Sequence, residues 1–506
     1  MSGITYDAVV LGSGFGGSLL ATILSRQGMR VALLDTAKHP RFVIGESSTP
    51  AADLILQDLA TRYDLPELLP LCRFGTWQET HPEIRCGCKR GFSYFFHGRG
   101  DAFEPSEAHT HELLVAASAS REVADTQWYR PQVDQFLFQI ASRRGSETWE
   151  GIDDLQIRHA GPSDWNIGFR HAADTVAMKS LFLVDATGPR GVVLEALGIK
   201  SSAKSLLTHS SSLYGHWEGM VRLDAVLGEW GVNVGEYPFP SDEAALHHLF
   251  DDGWMWSLRF KDNLTSAGFL YKGLDSPATL ADDPRVQWQQ LISRSPLLQS
   301  VFESARLADW PGKMFRTGRL QRIAERGAGA DWAALPATIG FIDPLHSTGI
   351  AHTLSGIESL SKILLQNQSR TLELDEYSNR ILRELRWIDL LVAGCYRGLR
   401  QFELFIAWSM LYFAAATTFE SRRISRSPAS EPAGEFLCAD DLEFQAKAER
   451  LWTRLCELTE DDRVPSPAQI DSFRDRVREE IAPYNHVGLF APANPHLYFH
   501  TAAEKP

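Results

Sequence analysis

The first 35 residues alternate between short apolar runs and a helical stripe. Residues 8–11 form a continuous Ala, Val and Leu run, as in a strand that is buried on both faces. Apolar side chains then recur at helical spacing over residues 19–24, and a second apolar run over residues 31–34 ends in Asp35. The pattern predicts a β-α-β unit of a parallel sheet.

The turn between the first strand and the helix has a G-x-G-x-x-G pattern at Gly12, Gly14 and Gly17. In this motif the first glycine makes the tight turn, the second lets the backbone approach a pyrophosphate, and the third lets helix and strand pack closely. The pyrophosphate then lies at the positive end of the helix, and Asp35 would accept hydrogen bonds from a ribose diol. A plain glycine turn is the alternative, but strand, helix and acid in this order favour dinucleotide binding.

Two later segments favour FAD over NAD. Arg130 and Asp134 open an amphipathic helix, and the apolar run at 183–184 ends in Asp185, followed by Ala, Thr and Gly. Both segments stand where large flavoprotein oxidases and monooxygenases carry further FAD contacts.

The rest of the chain changes character twice. Residues 206–310 contain short β-like pieces, at 254–260 and 265–271, separated by turn sequences, which predicts a sheet-rich insertion. Residues 373–419 have a helical pattern, a Ser/Pro/Arg-rich stretch at 421–434 indicates a surface loop, and a charged helical tail follows.

Composition and charge exclude several classes. The 506 residues carry a formal charge of −14, which disfavours nucleic-acid binding, and six cysteines are few for a secreted protein. The first residues lack a signal-peptide pattern, and the most apolar run, 404–416, is short for a membrane span and predicts a buried helix. We therefore expect a cytoplasmic protein that does not bind a membrane. Cys86 and Cys88 lack a second pair at zinc-ligand spacing, and the adjacent His247 and His248 should point to opposite faces of a strand, so no metal site is expected.

Three segments carry the motifs that narrow the class. They are residues 340–349, with the sequence GFIDPLHSTG, residues 247–256, with HHLFDDGWMW, and residues 88–93, with CKRGFS. Together with the glycine motif they resemble the flavin-dependent halogenases, whose F-x-x-P-x-x-S-x-G signature is matched by Phe341, Pro344, Ser347 and Gly349. The chain is most similar to the phenolic branch, in particular the phloroglucinol halogenase type, which has the same G-F-I-D-P-L and H-H-x-F-x-x-G-W-x-W segments.

The resemblance implies an α/β fold with a Rossmann-type, flavin monooxygenase-like FAD domain, a sheet-rich substrate-domain insertion and a helical C-terminal region. We place the discontinuous FAD-binding domain at residues 1–75, 110–205 and 311–370. The substrate domain then covers 76–109 and 206–310, and the helical region covers 371–506.

The resemblance also implies a reaction in secondary metabolism. Reduced FAD, supplied by a separate flavin reductase, reacts with O2 to give a C4a-hydroperoxide, which oxidises chloride or bromide to hypohalous acid. The acid reaches a lysine that presents the halogen to a small electron-rich aromatic substrate. A monomer or a homodimer is expected.

The site residues follow from the same resemblance. Lys89 is the lysine, and the apolar residues after it should desolvate it, which makes its neutral, nucleophilic form more accessible. Halide binds at the backbone amides of Thr348 and Gly349, at the positive end of a helix. The remaining expected residues are Asp343, Pro344 and Gly349 at the cofactor, His346 and Ser347 in catalysis, and Phe92, Trp254 and Trp256 in the substrate pocket.

The chain departs from the family pattern at two places. Leu258 and Arg259 replace the I-P of the W-x-W-x-I-P signature, so two alternatives stay open: an aromatic monooxygenase that hydroxylates, and a catalytically inactive flavin-binding interaction protein. His346 stands where tryptophan halogenases have a glutamate, which favours a phenol over tryptophan. His346 would then act as a base, orient hypohalous acid, or simply pack in the loop.

Overall fold

The computed structural model describes residues 4–98, 100–273, 283–366, 370–425, 434–460, 464–491 and 496–502. Its first sheet has six strands, parallel except for the first pair. In sheet order they are β21 (Ala328–Gly329), β22 (Trp332–Ala334), β12 (Leu183–Asp185), β2 (Ala8–Leu11), β3 (Val31–Asp35) and β8 (Glu147–Glu150). Helix α1 (Phe15–Arg26) joins β2 to β3, so the predicted β-α-β unit is confirmed.

The second sheet has nine strands and is mostly antiparallel, with two parallel pairs. In sheet order they are β18 (Arg306–Leu307), β14 (Ser210–Glu218), β17 (Leu264–Lys272), β16 (Gly253–Arg259), β15 (Ala245–Phe250), β5 (Gly91–Phe96), β6 (Glu112–Ala116) and β24 (Leu497–Tyr498), with β19 (Phe315–Arg316) also on β14. The strands predicted near 254–260 and 265–271 are β16 and β17.

Three smaller sheets complete the β structure. They are β1 (Thr5–Tyr6), β11 (Asp174–Ser180), β10 (Asp164–His171) and β9 (Asp153–Gly161); β13 (Ser201–Ser202), β20 (Arg322–Ala324) and β23 (Gly340–Phe341); and β4 (Cys86–Lys89) with β7 (Asp125–Trp128). Residues 46–48 run along the free side of β7, where Ser47 forms a bridge to Gln127. This last arrangement matters for the site, because it places residues 46–48, from the loop after β3, across β7 from β4, the strand that ends in Lys89.

The other helices cover the sheets and form the C-terminal region. They are α2 (Pro50–Arg62), α3 (Phe74–Thr80), α4 (Arg130–Arg143), α5 (Val192–Ala196), α6 (Leu223–Glu229), α7 (Pro284–Arg294), α8 (Pro296–Phe302), α9 (Pro336–Ile339), α10 (Thr348–Leu365), α11 (Thr371–Gly398), α12 (Phe402–Ile424), α13 (Leu442–Leu458) and α14 (Pro467–Ile481). The predicted loop at 421–434 is wrong for its first residues, because α12 continues to Ile424 and the buried Arg423 in its last turn forms an ion pair with Glu358. Residues 426–433 lie outside the described residues.

Helix α12 is the one helix of the described chain that is long and apolar enough to cross a bilayer. It is a core helix instead, since 94% of its most apolar window is buried inside the protein. The prediction of a buried helix at 404–416 is confirmed. A helix that is apolar on all sides needs partners all round it, and α11, α14 and α2 supply them.

Candidate active site

Two of the three motif glycines are required by the fold itself. Gly12 has a φ of +99°, and a Cβ there would lie 2.4 Å from the carbonyl oxygen of Ala186 on the neighbouring strand end. A Cβ on Gly17 would lie 1.9 Å from the carbonyl oxygen of Gly12. Both positions therefore hold helix α1 close to the strands.

Gly14 instead borders a space that is surrounded by charged groups. A Cβ on Gly14 would meet only side-chain ends, at 3.2 Å from an Arg41 Nη and 3.6 Å from an Asp134 Oδ. Arg130 holds Asp134 with two hydrogen bonds of 2.7 and 3.1 Å, and Arg41 lies 3.5 Å from the Asp35 carboxylate. The Arg41 Nε is buried without a hydrogen-bond partner among the described residues, and no described side chain caps α1. This donor-rich, open helix start fits a pyrophosphate.

The two acidic residues of this region differ in their surroundings. Asp35 accepts hydrogen bonds from the Ser13 N–H and hydroxyl, at 2.8 and 2.9 Å, so it is tied to the glycine loop. Asp185 is fully buried and accepts from the hydroxyl of Thr187 at 2.6 Å and the N–H of Val193 at 2.7 Å, at the start of α5. Burial raises the pKa of Asp185. Asp185 therefore fixes the backbone between β12 and α5 by hydrogen bonds. Its direct contact with a cofactor stays a prediction.

The 340–349 segment leads into α10 through an unusual turn. Ser347 has a φ of +53°, which is uncommon for a residue with a Cβ. Its hydroxyl donates to the Ser47 hydroxyl at 3.0 Å and does not cap the helix. The first N–H groups of α10, including those of Thr348 and Gly349, have no partner within the helix. A Cβ on Gly349 would meet no heavy atom within 4 Å, so this helix start faces open space and suits an anion.

Asp343 lies behind this turn. It is buried and accepts hydrogen bonds from the hydroxyls of Tyr396 and Ser210, at 2.8 and 3.0 Å, and from the Leu345 N–H at 3.1 Å. Burial raises its pKa to about 7. Asp343 therefore holds the loop at residues 340–347 against Tyr396 and Ser210 through buried hydrogen bonds.

Lys89 ends strand β4 and is fully buried. Its Nζ donates to the carbonyl oxygen of Ser48 at 2.5 Å and lies 4.3 Å above the ring of Phe92. Ser48 follows Ser47, which accepts the hydrogen bond from Ser347. Segment 46–48 therefore contacts Lys89 through Ser48 and the start of α10 through Ser47.

Beside Lys89 lies a buried group of rings, here called the ring cluster: Phe92, Tyr94, His247, His346, Tyr412 and Phe413. His346 stacks on Tyr412 at 4.1 Å, and its ring nitrogens lie 3.4 Å from the Cys395 Sγ and 3.5 Å from the Tyr94 hydroxyl. Burial, together with His247 and Lys89, lowers the pKa of His346 to about 3. His346 is therefore neutral at physiological pH.

His247 and His248 point to opposite faces of β15, as predicted. The His247 ring stacks on Tyr94 at 4.7 Å, whereas the His248 Nδ1 lies 2.9 Å from the His97 Nε2 on the other face of the strand. Among the described residues, no group of three or more His, Cys, Asp or Glu side chains could hold a metal ion.

The two tryptophans share one face of β16. Trp254 is buried, donates to the Tyr396 hydroxyl at 2.9 Å, and its ring lies 5.1 Å from that of His247. The departure at Arg259 lies on the opposite face, because side chains alternate along a strand. Arg259 forms a 2.7 Å ion pair with the buried Asp242. Arg259, in place of the proline, thus forms a structural ion pair that is turned away from the tryptophans, whereas Leu258, in place of the isoleucine, is buried on the same face of β16 as the tryptophans.

Residues 127–401, more than half of the chain, match the sequence model of the tryptophan halogenase family. The chain belongs to the tryptophan halogenase family. Among its curated relatives is the tetracycline 7-halogenase of Kitasatospora aureofaciens, which is 26% identical over 97% of this chain and 90% of the relative. The monodechloroaminopyrrolnitrin halogenase PrnC of Pseudomonas fluorescens is 28% identical over 88% of this chain and 80% of the relative.

Solved structures of the same class share the fold. The halogenase PltM, in complex with phloroglucinol and FAD, superposes with a TM-score of 0.84, at 22% identity over 98% of this chain and 99% of PltM. The flavin-dependent halogenase CmlS gives a TM-score of 0.59 at 16% identity, over 96% of this chain and 79% of CmlS. The predicted fold class is confirmed, and the chain is an enzyme of the flavin-dependent halogenase class. The hydroxylating and inactive alternatives are not favoured.

Sequence reasoning missed several residues that this family member brings to the site. They are Arg41 beside the glycine motif, Ser47 and Ser48 beside Lys89, and Cys395, Tyr396, Tyr412 and Phe413 from the C-terminal helices. The basic residue six positions after Asp35 was a usable signal for Arg41. The others have no local pattern, because they reach the site only through tertiary contacts.

Proposed function

We propose that the protein is an FADH2-dependent halogenase that oxidises chloride or bromide and transfers the halogen to a phenolic ring through Lys89. One observation supports this most strongly: a fully buried lysine amine is connected through Ser48 and Ser47 to the start of α10. In a member of this family, that connection joins the place where halide is oxidised to the place where it is used.

The cofactor would lie along the glycine loop and the start of α10. Gly14, Arg41 and Arg130 surround the pyrophosphate position, and Asp35 stands at the ribose position. Reduced FAD, when bound, supplies with O2 the oxidising equivalents that convert halide to hypohalous acid. The chain contributes the N–H groups of Thr348 and Gly349, which hold the halide at the positive end of α10.

Lys89 then receives hypohalous acid. Its amine holds the acid by hydrogen bonding, or forms an N–halogen bond while the acid's oxygen leaves as water. The Ser48 carbonyl and the Phe92 ring fix the amine. The fixed position directs the halogen to a ring bound at the Lys89 end of the ring cluster.

The ring cluster favours a neutral, electron-rich aromatic substrate. Its two histidines are neutral, since burial lowers the pKa of His247 and of His346 to about 3. None of its six members has a carboxylate that would pair with the ammonium group of tryptophan. A phenol activates its own ring through its oxygen, and the solved PltM complex contains a phenol, phloroglucinol. His346 is too weak a base for a general-base role, so it orients the oxidant or the phenol hydroxyl by hydrogen bonding.

The supply of FADH2 completes the proposal. The sequence has no second dinucleotide motif of comparable strength, so the reduced cofactor comes from a separate flavin reductase in the cytoplasm. The enzyme itself is a monomer or a homodimer.

The test is a bromide-dependence assay with a generic flavin reductase, a panel of phenols, and tryptophan as the comparison substrate. We expect a product with the bromine isotope pair from phenols, absent when bromide is omitted, and little or no product from tryptophan. A hydroxylated product that forms without halide would refute halogenation in favour of a monooxygenase. FAD binding with no product from any substrate would support the inactive protein.

A further inference from the structure

The Tyr396 hydroxyl connects three parts of the fold next to residues 340–347, the loop that precedes α10. Tyr396 lies on α11 and is buried; its hydroxyl donates to the Asp343 carboxylate at 2.8 Å and accepts from the Trp254 indole N–H at 2.9 Å. The three residues come from the C-terminal helices, the loop before α10 and strand β16. The loop and the tryptophan motif are thus held by the same side chain.

The same loop is held from a second direction. The Ser210 hydroxyl donates to the same Asp343 oxygen at 3.0 Å, and the Gln321 amide donates to Ser210 and to the carbonyl of Ile342, each at 2.8 Å. The other Asp343 oxygen accepts the Leu345 N–H within the turn. Asp343 therefore links Tyr396 and Ser210 by hydrogen bonds to the turn at residues 344–347, which precedes Thr348.

We propose that Tyr396 is a positioning residue for halide binding, which acts through Asp343 to fix the turn that presents the Thr348 and Gly349 N–H groups. The inference rests on the proposed halogenase function. Tyr396 touches neither halide nor substrate in this assignment. Its hydroxyl acts only on the geometry of the loop.

Replacement by Phe removes the hydroxyl and keeps the ring. Asp343 then loses one of two hydroxyl donors, and the buried Trp254 N–H loses its acceptor. The loop relaxes, so halide binding weakens while the ring cluster stays in place. From the loss of one hydrogen bond to the Asp343 carboxyl group we expect the KM for bromide to rise about tenfold. The kcat at saturating bromide should change less than about threefold, and the KM for the phenol should rise by a smaller factor than the KM for bromide.

Tyr377 provides a matched control on the same helix. It is also buried, and its hydroxyl donates to the backbone carbonyl of Ala334 at 2.8 Å. Tyr377→Phe thus removes an equally buried hydroxyl with no link to Asp343. The KM for bromide should equal that of the wild type, because the loop is untouched.

The experiment compares the wild type, Tyr396→Phe and Tyr377→Phe, each corrected for its fraction of FAD-binding protein. Steady-state assays give the KM for bromide and for one phenol, and thermal unfolding of the FAD-loaded proteins with increasing bromide gives a binding readout without turnover. We expect Tyr396→Phe to need about tenfold more bromide for the same unfolding-temperature shift.

An unchanged bromide requirement in Tyr396→Phe, or an equal rise in both variants, would overturn the assignment. If Tyr396→Phe does not fold, Ser210→Ala removes the other hydroxyl donor to the same Asp343 oxygen and should raise the bromide requirement in the same direction; no rise there would also overturn it. A wild type that binds bromide but makes no brominated product would instead refute the proposed function, and the unfolding shifts would still decide on Tyr396.

Discussion

Gly14→Val separates cofactor binding from folding at the glycine loop. Gly14 has φ −68° and ψ −176°, which valine tolerates, and a Cβ there meets only the flexible ends of Arg41 and Asp134, at 3.2 and 3.6 Å. The free energy of unfolding should therefore change by less than about 1 kcal/mol. The valine methyl groups would fill the space through which a pyrophosphate approaches α1. If the pyrophosphate loses two hydrogen bonds at the start of α1, the cost is about 3–6 kcal/mol of binding free energy. This corresponds to a factor of about 10²–10⁴ in the Kd for FAD.

The assay is a titration of the apoprotein with FAD, followed by flavin fluorescence, with circular dichroism and urea unfolding as the folding measurements. Gly17→Ala is the contrasting variant, because its Cβ would lie 1.9 Å from the Gly12 carbonyl oxygen and should destabilise the fold itself. Wild-type FAD affinity in Gly14→Val would refute the placement of the cofactor. Normal stability of Gly17→Ala would refute the steric argument.

Two further predictions follow from buried titratable groups. His346→Phe should lower kcat/KM by about tenfold for phenols of every acidity, because it removes a hydrogen bond that positions the reacting partner. A histidine with a pKa of about 3 orients that partner and does not remove a proton from it. A loss that grows with the pKa of the phenol would show that His346 acts as a base. Asp343 has a folded-state pKa of about 7, raised by burial from 3.8, so the stability that its protonated form contributes is present below pH 3.8 and lost as pH rises through 7. The quantity to follow is the free energy of unfolding of Asp343→Asn minus that of the wild type, measured by urea titration. It should increase by up to about 4 kcal/mol between pH 4 and pH 8. A difference that does not change with pH would contradict a raised pKa of the Asp343 carboxyl group. A difference between the two proteins is needed because other buried groups also titrate. Burial lowers the pKa to about 3 in His97, His247 and His346, so both proteins lose stability as the pH falls below about 6.5, and this loss cancels in the difference.

Local patterns predicted the parts of the fold that depend on local geometry. The apolar runs around Gly12 and Gly17 predicted the β-α-β unit, and the apolar residues after Lys89 predicted that this lysine is desolvated, which its full burial bears out. The helix that was expected to follow residues 340–349, with its positive end at the halide, is α10, which begins at Thr348.

The connections between these parts were not predictable. Ser48 and Lys89 are 41 positions apart, Asp343 and Tyr396 are 53 apart, and Ser47 and Ser347 are 300 apart. A hydrogen bond between distant residues leaves no periodic trace in a sequence. The same holds for α12: its uniformly apolar pattern predicted a core helix but did not distinguish Tyr412 and Phe413, which join the ring cluster, from residues that only pack.

In the proposed function, Lys89 acts after the halide has been oxidised. The most direct measurement is a single turnover of Lys89→Ala and of the wild type with reduced FAD, O2, bromide and a phenol. Brominated product, the rate of flavin reoxidation and free hypobromite caught by an added trap are quantified together. We predict at least about a 10²-fold loss of brominated product with flavin reoxidation unchanged within about twofold, and with the oxidising equivalents recovered in the trap or as peroxide. Equal bromination by Lys89→Ala and the wild type would show that the halogen does not reach the substrate through Lys89.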